Sequence, residues 1–360
     1  MEKVIAIEGL RAACSIYVFL SHLVIAGLGI KSPAVFPLFF GQEAVIVFFI
    51  VSGFVIALSV GRGDLSFRDY LRHRLLRIYP IFLLALVLSG ALAGFHFDWK
   101  DSLGNLLMLQ DFAGGKPGVL FDTFAGNAAL WSLSYEWWFY LMFFPVYSLV
   151  PRRRQCAVVT CGGLMAAGAY NMIGFFQPLL FLAYFPIWWA GAELGRAYVN
   201  EEEFPRGVLL SMLLMTLAFA IPVVTALAQR HTHGPGIHPL LELRHAAACL
   251  LFLGAARALW NRKWEIGART RRLVVVLGSI SYGLYVLHFP IITTDYWGHT
   301  PPWLRVTLAI PLVFAAAWLA EYPYQRLWRG LSGRNRSSLE GSTTRAIAPA
   351  PVPRDPARPA

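Results

Sequence analysis

Arg11 and His22 interrupt the first apolar segment of the chain, and their spacing suits joint chemistry. They stand eleven residues apart, which on a helix is about three turns and a rise of roughly 16 Å, so both lie on one face. An arginine binds anions in a fixed geometry, and a neutral imidazole is the usual general base near neutral pH. The pair predicts a functional site; the alternative is a histidine that only hydrogen-bonds a neighbouring helix.

A later apolar segment carries a stripe of hydroxyl and carboxyl groups. Ser132, Glu136 and Tyr140 follow one another at intervals of four residues, which places them on one helix face. An ionisable carboxyl group inside an apolar span is costly, so we expect Glu136 to face the interior of a helix bundle. The three residues are therefore candidate site residues.

Two further segments contain polar or small residues in apolar surroundings. Ser281, Tyr285 and His288 share one helix face, and either a functional site or a structural hydrogen-bond network between helices explains them equally well. Ser52 and Gly53 interrupt an aromatic and β-branched run. Such a small pair allows a backbone or a ligand to approach closely, and packing is the favoured role.

Arginines collect just before the third apolar segment. Arg74 and Arg77 are one helical turn apart, close to Pro80, which marks the predicted start of that segment. Guanidinium groups can grip phosphates in a bidentate manner. A phosphate-bearing ligand that arrived from their compartment would meet both residues and Arg11, although membrane topology alone also explains some of these charges.

The composition predicts the elements that position these residues. Hydrophobic residues make up 57% of the 360 residues and charged residues 14%, against about 25% charged residues in soluble domains. Apolar runs of about 20 residues without barrel-type alternation predict transmembrane helices. We count ten such segments. They lie at 11–30, 37–60, 79–95, 131–150, 156–176, 179–199, 207–228, 239–259, 273–294 and 303–320.

The distribution of basic residues predicts the orientation. With the N-terminus inside, Lys and Arg concentrate in the inner loops at 61–78, 151–155 and 260–272 and in the C-terminal tail. Few basic residues fall in the outer loops, in agreement with the positive-inside rule. We therefore predict an all-α bundle of about ten transmembrane helices in the inner membrane, with both termini cytoplasmic. Because the net charge of +11 is dispersed over separate loops, a nucleic-acid partner is not expected.

The remaining segments give weaker signals. The outer segment from His96 to Leu130 is either a folded, partly re-entrant loop that shapes an acceptor site or a solvated connector. The histidine-rich run at 231–238 is flexible in composition, so we predict no metal site there. We divide the chain into a membrane domain at 1–329 and a disordered cytoplasmic tail at 330–360.

Six motifs occur in order along the chain, namely EGLRAACSIYVFLSH, FFIVSGFVI, RLLRIYP, WSLSYEWWFYLMFFP, SYGLYVLHFPI and EYPYQRLW. With these motifs the chain resembles the acyltransferase 3 family of integral-membrane acyltransferases, many of which O-acetylate surface polysaccharides. The resemblance extends to about residue 329. The family more often has Asp where Glu8 stands, a mild change that keeps the charge.

The family resemblance implies an O-acyltransferase that moves an acyl group, most often acetyl, from acyl-CoA to a hydroxyl of a carbohydrate or glycoconjugate. It implies no permanently bound cofactor. His22 then acts either as the general base or as the nucleophile, and the sequence does not separate these roles. Glu136 orients His22 or the acceptor sugar, and Arg11, Arg74 and Arg77 bind the CoA phosphates.

The main alternative from another class is a proton-coupled transporter, because ten helices with an intramembrane His and Glu also suit a carrier. Against it, the two halves show no obvious paired helices broken by Gly or Pro. The expected partners are the acyl-CoA donor, a carbohydrate acceptor and the lipid bilayer. The sequence leaves the oligomeric state open.

Overall fold

A computed structural model describes residues 2–30, 32–60, 66–95, 98–231, 234–262 and 265–346. Within these ranges the chain is helical, with one isolated bridge between Gln110 and Phe121 as its only β-type pairing. The α-helices are α1 (Glu2–His22), α2 (Gly41–Val60), α3 (Phe67–Leu92), α4 (Trp99–Leu106), α5 (Trp131–Leu149), α6 (Arg152–Met172), α7 (Gln177–Val199), α8 (Gly207–Ala228), α9 (Leu240–Leu259), α10 (Ala268–Ser279), α11 (Ser281–Thr293) and α12 (Pro302–Ala346).

Each of the ten apolar segments overlaps a long helix, and the segment at 273–294 covers both α10 and α11. By length and composition, five stretches of the described chain can cross a membrane, and the bent α10–α11 pair would be a sixth. The five are Ile5–Gly27, Pro33–Val60, Phe67–Leu92, Gly207–Ala228 and Pro302–Gln325. The protein is thus a multi-pass helical membrane protein, while ten spans and two cytoplasmic termini stay predictions.

Helix α3 begins about a dozen residues before its predicted start near Pro80. Ser66 caps its N-terminus by accepting a hydrogen bond from the backbone N–H of Asp69, at 3.1 Å. Pro80 lies inside the helix and removes the N–H that would bond the carbonyl of Leu76. The hydroxyl of Tyr324 donates to that carbonyl instead. The helix therefore continues through the proline, and the arginines before it lie on a helix instead of a loop.

The ninth apolar segment is bent by 57° between α10 and α11. Ser281, the first residue of α11, donates its hydroxyl hydrogen to the carbonyl of Gly278 at 2.8 Å. Further along α11, Pro290 frees the carbonyl of Val286, which accepts a hydrogen bond from the amide of Asn127 at 3.1 Å. The bend separates α11 from the arginine-bearing α10 and makes it a short, mostly buried helix.

Helices α2 and α7 pack with their backbones close together because of small residues. A Cβ atom at Gly53 would lie 2.1 Å from the carbonyl oxygen of Trp188, and one at Gly191 would lie 1.8 Å from that of Ile50. Neither position can carry a larger side chain unless a helix moves. Gly53 therefore allows α2 and α7 to pack closely, and this packing fixes the position of its neighbour Ser52 along α7.

The outer segment folds into the end of the bundle. Lys116 and Asp111 form an ion pair at 2.9 Å, with side chains that are 2% and 0% exposed. The Lys116 ammonium also lies 4.2 Å from the centre of the Trp131 ring. The hydroxyl of Tyr135 donates to Asp111 at 2.6 Å. These contacts favour the folded loop over the solvated connector.

Helix α12 continues past residue 329, the predicted domain boundary, to Ala346, the last described residue. No helix end coincides with that boundary. The remainder of the predicted tail, residues 347–360, lies outside the described residues.

Candidate functional site

A polar cavity of about 110 Å³ lies between α1, α2, α3, α5 and α11. Nine of the twelve candidate residues from the sequence line it, and the three others are Gly53, His22 and His288. The nine are Arg11, Ser52, Arg74, Arg77, Ser132, Glu136, Tyr140, Ser281 and Tyr285.

One wall of the cavity is a cluster of Ser52, Glu136 and Tyr140. The Ser52 hydroxyl donates to Oε1 of Glu136 at 2.7 Å, and the Tyr140 hydroxyl donates to the same oxygen at 2.5 Å. The indole N–H of Trp188 donates to the Ser52 oxygen at 3.2 Å. These bonds fix Glu136 to neighbours on the cavity wall. Among the described residues, the hydrogen-bond partners of the Glu136 side chain are Ser52 and Tyr140, and His22 is not one of them.

Arg74 lines the cavity and keeps donor capacity. Its guanidinium carbon is 5.6 Å from the centre of the Tyr70 ring and 5.8 Å from that of Tyr140. The Nε atom is buried and has no hydrogen-bond partner among the described residues. A buried donor without a partner is costly, so Arg74 is ready to bind an incoming acceptor such as a phosphate oxygen.

Arg77 differs from Arg74 because it already has a carboxylate partner. Its Nη1 atom is 3.2 Å from Oε2 of Glu321, whose side chain is fully buried. The same carboxylate accepts the backbone N–H of Gly283 at 3.0 Å and the amide of Gln325 at 3.0 Å. Arg77 therefore ties α3 to α11 and α12 while it lines the cavity.

Arg11 lines the cavity from α1 and is paired with Glu8 at 3.2 Å, one turn earlier on the same helix. Both side chains are partly exposed, at 21% and 32% for Arg11 and Glu8. An exposed pair of this kind contributes little stability. Arg11 can therefore exchange its partner for a ligand anion at low cost.

Ser132 and Tyr285 line the cavity, and their hydroxyl groups are hydrogen-bonded at 2.8 Å. The Tyr285 ring also packs against the ring of His288, with centroids 6.2 Å apart. Tyr285 therefore adjoins both the cavity and the histidine that follows it on α11. Ser281 is fully buried on the same helix.

His22 and His288 form an imidazole pair next to Tyr285. Nδ1 of His22 is 2.8 Å from Nε2 of His288, and the two rings are nearly parallel. Nδ1 of His288 is 3.0 Å from the carbonyl oxygen of Leu284. The pairing places His288 beside His22. The spacing of residues along each helix did not predict this contact between helices.

The backbone changes form directly after His22. Helix α1 is continuous from Glu2 to His22, so the rise from Arg11 to His22 is about 16 Å. A π-helical turn follows at Leu23–Gly27. Such turns occur frequently at functional sites. His22 is therefore the last residue of α1, and it adjoins the only π-helical turn within the described residues.

Two site residues escaped the sequence analysis. Glu321 stands in the motif EYPYQRLW, and Trp188 lies in an aromatic run on α7. An acidic residue within an apolar span is the signal that could have singled out Glu321. Trp188 carried no such signal, because aromatic residues are common in this chain and only the fold brings its N–H to Ser52.

The histidine-rich outer run contacts a neighbouring carboxylate. Nδ1 of His238 is 3.1 Å from Oε2 of Glu242 on α9, four residues further along the chain. No group of three or more potential metal ligands occurs within the described residues, and His233 lies outside them.

The chain matches a family model described as an acyltransferase domain over residues 4–322. Acyltransferase MdmB of Streptomyces mycarofaciens is 28% identical over 82% of this chain and 79% of its own length. Nodulation protein 10 of Rhizobium leguminosarum bv. viciae is 25% identical, over 84% of this chain and 87% of that protein.

A third relative is exopolysaccharide production protein ExoZ of Rhizobium meliloti (strain 1021). It is 25% identical over 69% of this chain and 75% of its own length. No solved structure matches the chain. The matched region contains every candidate residue of the cavity and both histidines of the imidazole pair.

Proposed function

Because this chain belongs to the acyltransferase family and is an O-acyltransferase, we propose that it moves an acyl group, taken as acetyl, from cytoplasmic acyl-CoA to a carbohydrate or glycoconjugate hydroxyl. We place the reaction in the inner membrane. The carbohydrate acceptor is suggested by the relative that takes part in exopolysaccharide production. A proton-coupled carrier, the alternative drawn from sequence, has no support from the relatives.

The observation that carries the proposal is the set of three arginines that line the cavity. Arg74 has a buried N–H without a partner, and Arg11 and Arg77 line the same space. Coenzyme A carries several phosphate groups at one end and the thioester at the other. With its phosphates at these arginines, the thioester end would extend through the cavity toward Tyr285, whose ring packs against His288 of the imidazole pair.

His22 supplies the reacting imidazole in this proposal. As a general base, it takes the proton of the acceptor hydroxyl while the oxygen attacks the thioester carbonyl. The carbon–sulfur bond then breaks, and the proton passes to the CoA thiolate. As a nucleophile, it would instead carry the acyl group before the acceptor arrives. Both routes need an unprotonated ring nitrogen.

Glu136 acts from the cavity wall. Its carboxylate holds the hydroxyl groups of Ser52 and Tyr140, which face the space that the pantetheine arm would fill. We assign it the role of orienting bound substrate groups, because its hydrogen bonds run to the cavity cluster. The two roles expected from sequence, orientation of His22 and orientation of the acceptor sugar, stay predictions.

The donor assignment is tested with Arg74→Ala. Loss of a charge-assisted contact costs roughly 1.5–3 kcal/mol, so we expect the KM for acetyl-CoA to rise about tenfold or more, with normal protein abundance. Arg72→Ala is the matched control, because Arg72 is exposed on the same helix and does not line the cavity. Equal KM values for the two variants would exclude Arg74 from donor binding.

A further inference from the structure

The hydrogen bonds around the imidazole pair define which nitrogens carry protons. The carbonyl oxygen of Leu284 can only accept, and it lies 3.0 Å from Nδ1 of His288. Nδ1 of His288 therefore carries a hydrogen. A neutral imidazole has one N–H, so Nε2 of His288 holds a lone pair.

The lone pair on Nε2 of His288 in turn determines which nitrogen of His22 carries a hydrogen. Nε2 of His288 is 2.8 Å from Nδ1 of His22, and with its lone pair it must accept from that atom. Nδ1 of His22 therefore carries the hydrogen, and its Nε2 holds the lone pair. His288 is fully buried among aromatic residues, where an unpaired charge is costly, so its neutral form is the one that fits.

Aromatic packing holds both rings in this arrangement. Phe289 meets the His22 ring edge-on with centroids 5.1 Å apart, and Phe19 meets the His288 ring in the same way at 6.1 Å. Rotation of either ring would break the bond between the histidines and lose these contacts. Each ring hydrogen-bonds the other, and the His288 ring also hydrogen-bonds the backbone of its own helix.

We infer that His288 is a positioning residue that holds His22 in the Nδ1–H tautomer, so that Nε2 of His22 is the atom that reacts. The inference depends on the proposed role of His22. When Nε2 takes the acceptor proton, the resulting imidazolium donates its Nδ1–H to His288 in a stronger, charge-assisted bond. The proton later leaves from Nε2 to the CoA thiolate, and His288 exchanges no proton.

In a serine hydrolase triad, a buried carboxylate holds the catalytic histidine in the required tautomer and orientation. Here the neutral His288 has that role toward His22. A carboxylate would stabilise the imidazolium more strongly, but it would bring an additional charge into the apolar bundle. The histidine provides one directed lone pair, and its own orientation is fixed by a backbone carbonyl on the same helix.

The test compares three replacements of His288. His288→Gln can place its side-chain oxygen near the former Nε2 and keep the bond, whereas His288→Asn is too short and His288→Leu has no acceptor. We expect kcat to fall about 10²-fold or more for Asn and Leu, and about tenfold or less for Gln. The KM for acetyl-CoA should stay unchanged, because His288 does not line the cavity. Thr293→Val, an exposed position on the same helix, is the control.

A spectroscopic readout separates this inference from the role of His22. In protein with ¹⁵N-labelled histidine rings, reconstituted in lipid, the His22 signals are those missing from His22→Asn. We expect the Nδ1–H tautomer in the unmodified protein and in His288→Gln, and its loss in His288→Leu. The same tautomer in His288→Leu, or an Nε2–H form in the unmodified protein, would overturn the inference. An active His22→Asn variant would instead overturn the proposed function.

Discussion

Replacement of His22 by asparagine should leave an inserted, donor-binding protein with almost no acyl-transfer activity. Asparagine keeps a polar side chain and can still hydrogen-bond His288, but it cannot act as a base near neutral pH. Loss of general-base catalysis alone should lower kcat about 10²- to 10⁴-fold. The measurement is transfer of radiolabelled acetyl from acetyl-CoA in isolated membranes, normalised to protein abundance.

The matched control is His231→Asn, because His231 is exposed in the outer histidine-rich segment. It should transfer acetyl at the rate of the unmodified protein. Activity of His22→Asn within a few-fold of that rate, at normal abundance, would contradict a catalytic role for His22. His288 would then contribute only to helix packing.

Arg77→Ala should destabilise the bundle as well as weaken donor binding. It would leave Glu321, a fully buried carboxylate, without the cation that neutralises it. Removal of one partner of a fully buried ion pair costs roughly 3–5 kcal/mol, and the cost here is smaller because the Arg77 side chain is itself 34% exposed. We expect lower abundance in membranes and a lower thermal midpoint in detergent, measured by fluorescence-detected size-exclusion chromatography after heating.

A second substitution separates stability from donor binding. Glu321→Gln in the Arg77→Ala background removes the stranded charge and keeps an acceptor oxygen for the backbone N–H of Gly283. We expect the double variant to regain much of the lost stability but not the original KM for acetyl-CoA. If the Arg77→Ala protein were as stable as Arg72→Ala, the ion pair with Glu321 would not contribute to the stability of the bundle.

The helices were predictable because each depends on a local pattern. An apolar run of about 20 residues has few alternatives in a membrane, and α8 occupies the same residues as its predicted segment. The start of α3 was predicted too late, because arginines and Pro80 suggested a loop, whereas Ser66 caps the helix and Tyr324 satisfies the carbonyl that Pro80 frees. The sequence contains no equivalent signal for the bend before Ser281.

The faces of single helices were predictable, but the partners across helices were not. The spacing of Ser132, Glu136 and Tyr140 indicated one polar stripe, and all three line the cavity. The bonds from Glu136 to Ser52 and from His22 to His288 join residues that are far apart in sequence. Periodicity defines a direction around one helix axis, and only packing determines which other helix stands there.

Direct transfer of a labelled acyl group tests the central claim. The purified protein is reconstituted in liposomes with acetyl-radiolabelled acetyl-CoA and cell-surface glycans from a strain that lacks this chain. We predict base-labile label in the glycans and one free CoA thiol for each ester formed, with neither in liposomes that carry His22→Asn. Glycans that stay unlabelled while the unmodified protein binds acetyl-CoA, or label that enters the glycans equally with His22→Asn, would contradict it.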